Sequence, residues 1–230
     1  MRRFKSFTRG AVKDKVRHQE SAPLREETLP SFCALPRTFF QPSAEIVAPK
    51  LIGNWLVRRD DDGSIHGGII VEVEAYLRGD PACHAFKGLS ERTKSMFGPP
   101  GHSYVYLIYG FHFCMNTVCM QEGEAEGVLL RALHPLWGVE KMRERRNHVV
   151  DRHIASGPGK LCAALNITRA LDGTDLCSIE SPVFVAENPE RRKTLKELGP
   201  VVQTTRIGIS QAADWPLRWY LGGSHHISKK

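Results

Sequence analysis

A chain of 230 residues has room for one full-sized domain with its own core, or at most two small ones. Its composition, 41% hydrophobic and 25% charged, is ordinary for a globular protein, and no apolar run approaches the roughly 20 residues that span a bilayer, which argues against a helical membrane protein. The net charge of +7 points to a polyanionic partner, but eight basic and four acidic residues fall within the first 30 positions; the rest carries only +3, so any nucleic-acid surface there is a local patch.

In chain order, residues 1–33 lack hydrophobic periodicity and read as a flexible basic tail. A mitochondrial transit peptide is the alternative, against which the four acidic residues count. Residues 34–230 form the folded domain. Ser43 to Leu51 reads as a helix with a serine cap, shortened or kinked by Pro49. Trp55 to Arg59 and Ile65 to Tyr76 read as strands separated by an Asp-Asp-Gly turn. The rigid turn Gly98-Pro-Pro-Gly101 leads into a strand at Ser103 to Tyr109. A second strand follows at Phe113 to Met120, giving a hairpin with Tyr109-Gly110-Phe111 at its tip. Val128 to Leu133 reads as a strand, His134 to Asn147 as a helix with Leu136, Val139 and Met142 on one stripe, and Lys160 to Leu165 as a helix. Pro182 to Ala186 and Arg206 to Ser210 read as short strands. The irregular alternation predicts an α+β fold: one mixed domain on a curved, largely antiparallel sheet, with a protruding hairpin and surrounding helices. The six cysteines form no C-x-x-C pair and no zinc-like spacing, and no signal peptide is visible. They read as reduced thiols in an intracellular protein with no metal site.

Several residues could carry chemistry. On an extended strand Glu72, Glu74 and Tyr76 share one face, whereas Val71, Val73 and Ala75 face the core. Two carboxylates and a tyrosine suit acid–base work, although a half-exposed strand with a solvated face would look the same. His84 sits in a Gly/Asp/Pro-rich loop, where a histidine is either catalytic or merely on the surface. Tyr104 and Tyr106 share one strand face, and aromatic residues in strands usually belong to the core. Tyr109, at the exposed turn, is costly for solubility unless something covers it, and a wedge between base pairs is one such use. Arg131, inside an apolar strand, needs a carboxylate such as Glu74 or a phosphate. Lys141, Arg143, Arg145 and Arg146 form either a solvated helix face or a phosphate-contacting patch. No nucleotide-cofactor or serine-hydrolase motif is present.

Taken together, these segments resemble the alkyladenine (3-methyladenine) DNA glycosylase family. The similarity runs through VEVEAY at 71–76, His84, MFGPPG at 96–101, YVYLIYG at 104–110 and FCMN at 113–116. It continues through LLRAL at 129–133, SGPGKLC at 156–162, RIGI at 206–209 and PLRWY at 216–220. The ordered set covers the chain from about Leu35 onward, and its specificity lies in the combination. The resemblance implies double-stranded DNA with damaged purines as partner and a monomeric enzyme without cofactor, metal or membrane association. It makes Glu74 the general base that activates a water, and Arg131 the arginine holding that water and a nearby phosphate. Tyr76, His84 and Tyr106 would sandwich and hydrogen-bond the flipped base, and Asn116 would screen out guanine at the pocket wall. Tyr109 would fill the gap in the duplex. Glu72 has no comparable role and reads as structural or as a local field on Glu74. No motif places a lysine for a Schiff base, which predicts hydrolysis without lyase activity. The chain departs from the family pattern at His134, where a glutamate often precedes proline, at Thr93, a usual asparagine, and at Phe111, a common methionine.

Two rival readings stay open: a non-catalytic damaged-DNA binding module, and an enzyme acting on free nucleosides or RNA. Intact Glu74 and Arg131 speak against the first. Tyr109 speaks against the second, since a free nucleoside leaves no gap to fill.

Overall fold

The computed structural model describes residues 29–230, so the tail expected at 1–33 lies almost wholly outside the described residues. Within them Phe32 already belongs to the fold. Its ring packs edge-on against Trp55, Trp137 and Phe184, with centroids 5.3–6.0 Å away.

One eight-stranded sheet organises the chain, and every pairing in it is antiparallel among the described residues, in keeping with the α+β expectation. The strands are β1 (Trp55–Arg59), β2 (Ile65–Tyr76), β3 (Ser103–Ile108), β4 (His112–Cys119), β5 (Glu126–Trp137), β6 (Val183–Ala186), β7 (Val201–Thr204) and β8 (Arg218–Leu221). Four helices accompany them: α1 (Ala44–Leu51), α2 (Val139–Arg145), α3 (Pro158–Ala164) and α4 (Arg191–Glu197). The main path runs β3-β4-β5-β2-β1-β6. The sheet forks at β2, because one edge pairs with β5 along most of its length while the other changes partner. Residues 65–69 pair with β1 and residues 72–74 with β8, which carries β7 on its far side. Glu72 and Glu74 on this strand are fully buried rather than half-exposed, because Arg218, Ser228 and the loop at Ile207 pack over their face.

Alternation sorts the hairpin strands between two cores. Val105 and Met115 enter the main core, whereas Tyr104, Tyr106 and Cys114 enter a smaller cluster with Cys83, Met96 and Leu129. At the tip, Tyr109 and Gly110 both take positive φ, 53° and 78°, as a tight hairpin requires. Helix α1 forms as expected, but the Ser43 side chain makes no cap bond; the Glu126 carboxylate accepts from the Ala44 N–H instead, at 2.8 Å.

Two of the expected secondary-structure elements also fail. The helix read at 134–147 begins only at Val139, because β5 runs on to Trp137 and breaks at Gly138 with φ 64°. The reason lies in β2: a Cβ at Gly68 would stand 2.0 Å from the His134 carbonyl oxygen, so glycine admits the close approach that holds this stretch as strand. Residues 206–210, read as a strand, form no ladder and are instead an irregular loop tied to β2 through Arg206.

Candidate active site

Two β-bulges aim the charged residues. In the β2–β5 ladder Ile70 faces Leu133, Glu72 faces Ala132 and Val73 faces Leu130, so Val71 and Arg131 are each the extra residue of a shift. A bulge re-aims the side chain it carries. Arg131 accordingly spans both carboxylates: its Nε donates to Glu72 Oε1 at 3.0 Å and its Nη1 lies 3.1 Å from Glu74 Oε2. From the other edge, Arg218 Nε donates to Glu72 Oε1 at 2.8 Å. Two buried carboxylates thus face two buried guanidiniums, the pairing that makes buried charge tolerable. Burial works against the Arg131 cation, but the adjacent Glu74 and Glu72 outweigh it and hold its pKa above the usual value.

The two glutamates differ in their donors, although each has one oxygen with a single donor, Oε2 of Glu72 and Oε1 of Glu74. Glu72 accepts from Arg131, Arg218 and both the N–H and Oγ of Ser228. Glu74 accepts from the Ile207 N–H at 2.7 Å on Oε1, and on Oε2 from the Tyr76 hydroxyl at 3.0 Å beside Arg131. Oε1 of Glu74 therefore keeps a lone pair without a protein donor among the described residues. The loop that brings Ile207 is anchored by Arg206, which pairs with Asp80 where both side chains are fully buried, and lies 4.7 Å over the Tyr76 ring.

Beside this charge layer opens a cavity of about 340 Å³, at the small end of ligand pockets. Tyr76, His84, Tyr106, Tyr109, Asn116 and Arg131 all line it, so six of the seven sequence-derived site residues meet there; Glu74 sits one layer behind, in contact with Tyr76, Arg131 and Ile207 of the wall. Tyr104 and Tyr106 stack with centroids 5.2 Å apart, and the His84 ring stands edge-on to Tyr106 at 4.4 Å. His84 Nδ1 lies 3.0 Å from the Tyr104 hydroxyl, while burial and the nearby Arg92 pull its pKa down to about 4, leaving a neutral ring at pH 7. Burial pushes Tyr104 up to about 12 and Tyr106 and Tyr76 higher still, so all three hydroxyls keep their protons. Asn116 Nδ2 donates to the Tyr104 carbonyl at 3.4 Å. Tyr109 is 74% exposed and its neighbour Phe111 71%. At the opposite wall Gly159 lets α3 press on β4, since a Cβ there would sit 3.2 Å from His112.

Sequence reasoning missed Ser228, Arg218, Asp80 and the Arg206–Ile207 anchor as members of the site. Residues 206 and 218 lay inside recognised motifs, yet nothing in their spacing says that they meet β2. The basic helix resolves toward ordinary ion pairing: Lys141 pairs with Glu144, Arg143 with Glu140 and Asp151, and Arg145 with Asp60, while Arg146 donates to the Ile154 carbonyl.

An aromatic, largely apolar pocket is thus backed by a buried carboxylate–guanidinium pair, an arrangement of the kind found in enzyme sites. The family model of methylpurine-DNA glycosylase matches residues 38–225, and the chain belongs to that family of DNA N-glycosylases. Relatives bearing the provisional name 3-methyladenine DNA glycosylase align over nearly the whole described region. The one from Methanoculleus marisnigri is 48% identical over 198 residues, 85% of this chain and 99% of the relative. That from Carboxydothermus hydrogenoformans is 42% identical with the same two coverages, and that from Rhodopseudomonas palustris (strain CGA009) 47%, covering 85% of this chain and 88% of its own. Among the described residues no helix is long and apolar enough to cross a membrane.

Proposed function

We propose that this glycosylase extrudes a damaged purine nucleotide from duplex DNA and hydrolyses its N-glycosidic bond with Glu74 as general base, leaving an abasic site and an uncut strand. The observation that carries the reading is the position of Arg131, which lines the cavity and at the same time binds Glu74 directly behind the wall. A water held at Arg131 gives its proton to Glu74 as its oxygen bonds to the sugar C1′. The C1′–N bond breaks, and its electron pair leaves with the base through an oxocarbenium-like transition state.

Extruding the nucleotide costs a few kcal/mol, least for damaged or mispaired bases. Tyr109 offsets part of that cost by standing in for the lost stacking partner, a use that accounts for an aromatic ring held exposed at a hairpin tip. Alkylated purines are electron-poor, so they stack well between Tyr76, Tyr106 and neutral His84 and depart readily. Asn116 screens out guanine by crowding its exocyclic amino group. No lysine lines the cavity among the described residues, which supports hydrolysis over Schiff-base chemistry.

The test is base release from duplexes carrying hypoxanthine or ethenoadenine, comparing wild type with Glu74→Gln. Wild type is expected to leave abasic sites, and the variant to bind the lesion while losing about 10²-fold or more in rate, the scale of a general base. If wild type releases no base from these duplexes or from alkylated genomic DNA, the catalytic reading fails and a damage-binding module takes its place.

A further inference from the structure

Beyond β8 the chain turns back, and residues 224–229 lie along the buried charge layer. Ser224 and Ile227 are buried, and the His226 ring meets that of His134 at 4.4 Å, so the segment is packed down at several points. Ser228 makes three contacts there. Its N–H donates to Glu72 Oε2 at 2.6 Å, its hydroxyl donates to Glu72 Oε1 at 2.7 Å, and the same oxygen accepts from Arg131 Nη2 at 3.2 Å. Arg218 Nη2 closes the layer by donating to the Lys229 carbonyl.

We propose that Ser228 is a positioning residue for the glycosylase reaction, dividing the Arg131 guanidinium between the two glutamates. The inference rests on the reading of Glu74 and Arg131 given above. The guanidinium is fixed at three points on three acceptors: Nε on Glu72, Nη1 on Glu74 and Nη2 on Ser228. Nε and Nη2 form one edge of the fork, and a carboxylate prefers to take such an edge with both oxygens. Glu72 already holds Nε through Oε1, and the Ser228 oxygen keeps Nη2 off the carboxylate by bridging Nη2 and Glu72 Oε1. Without that hydroxyl, Arg131 swings its Nε–Nη2 edge fully onto Glu72 and draws Nη1 away from Glu74. The base then loses its partner, and the water loses its donor at the cavity wall. Ser228 acts on neither substrate nor water; it decides which carboxylate the arginine serves.

The experiment compares wild type, Ser228→Ala and Ser228→Thr in single-turnover base release from a hypoxanthine duplex. Lesion-duplex Kd and Tm are recorded alongside, with ¹⁵N-edited NMR of the Arg131 Nε–H and Nη–H signals. Ser228→Ala is expected to release base at least ten-fold more slowly with Kd within two-fold, and Ser228→Thr, which keeps the hydroxyl, to recover most of the rate. The Arg131 signals should shift in the alanine variant and return in the threonine variant. A Ser228→Ala rate within two-fold of wild type overturns the proposal while leaving the function of Glu74 intact. If wild type itself releases no base, the functional reading falls, and unshifted Arg131 signals in Ser228→Ala would then overturn the positioning role on their own.

Discussion

The buried charge layer and the hairpin tip treat their costly groups in opposite ways. Around Glu72 and Glu74 every charge has a fixed partner, drawn from β5, β8 and the segment beyond it. At the tip, Tyr109 and Phe111 stand in solvent with little contact to the rest of the protein, on a backbone turn that tolerates positive φ. The difference separates two tasks. On the proposed function, groups that position the reacting water are locked in advance, whereas groups that meet the duplex are left uncovered until it arrives.

The largest effect is expected where a buried pair is cut. Arg206→Ala leaves Asp80 charged and uncompensated at full burial, and should cost about 3–5 kcal/mol, read from the urea midpoint. It also frees the loop that brings the Ile207 N–H to Glu74, so base release should fall with stability. A loss under about 1 kcal/mol would mean that the layer is less dependent on pairing than its burial implies. The tip should behave the other way: Tyr109→Ala is expected to change stability by no more than about 0.5 kcal/mol, as surface substitutions do, yet to slow release from duplex far more than any reaction on a free nucleoside. Equal loss on both substrates would remove the wedge role from Tyr109.

The smallest effect concerns pH. Burial and the neighbouring His134 pull His226 down to about 4 from 6.5, and His134 is itself lowered by burial. A histidine kept neutral in the fold binds fewer protons than in the unfolded chain between these values. The stability contributed by keeping His226 neutral is therefore fully present above pH 6.5 and declines as pH falls toward 4. Replacing His226 with glutamine should flatten that part of the Tm-against-pH curve, and an unchanged slope would place its origin elsewhere.

Much of this division was legible in the sequence. Period-two patterning defined β1, β2 and the β3–β4 hairpin, and it placed Tyr104 and Tyr106 on one face because adjacent strands obey local rules. The seven proposed site residues came together because six line one cavity and the seventh backs it. What stayed hidden were features set by distant partners. The strand character of residues 134–137 depends on Gly68 in β2, so a stripe of Leu136, Val139 and Met142 read locally as helix. The half-exposed reading of Glu72 and Glu74 failed because Arg218, Ser228 and the loop at Ile207, all distant in sequence, cover the face that alternation alone leaves open. The bulge at Arg131 depends on a register shift that no single strand encodes, and so does the sharing of that arginine by two glutamates.

The donors that neutralise the β2 carboxylates come from far along the chain. Ile207 is 133 residues beyond Glu74, and Arg218 and Ser228 are 146 and 156 residues beyond Glu72. On the ribosome β2 therefore emerges well before the residues that make its burial affordable, since synthesis proceeds at about 5–20 residues per second. During that interval the two glutamates must stay hydrated, because closing them away without their donors would strand bare charge in an apolar interior. The buried charge layer is consequently among the last parts of the molecule able to close. A newly made chain holds every residue of its hairpin long before it holds the donors of that layer.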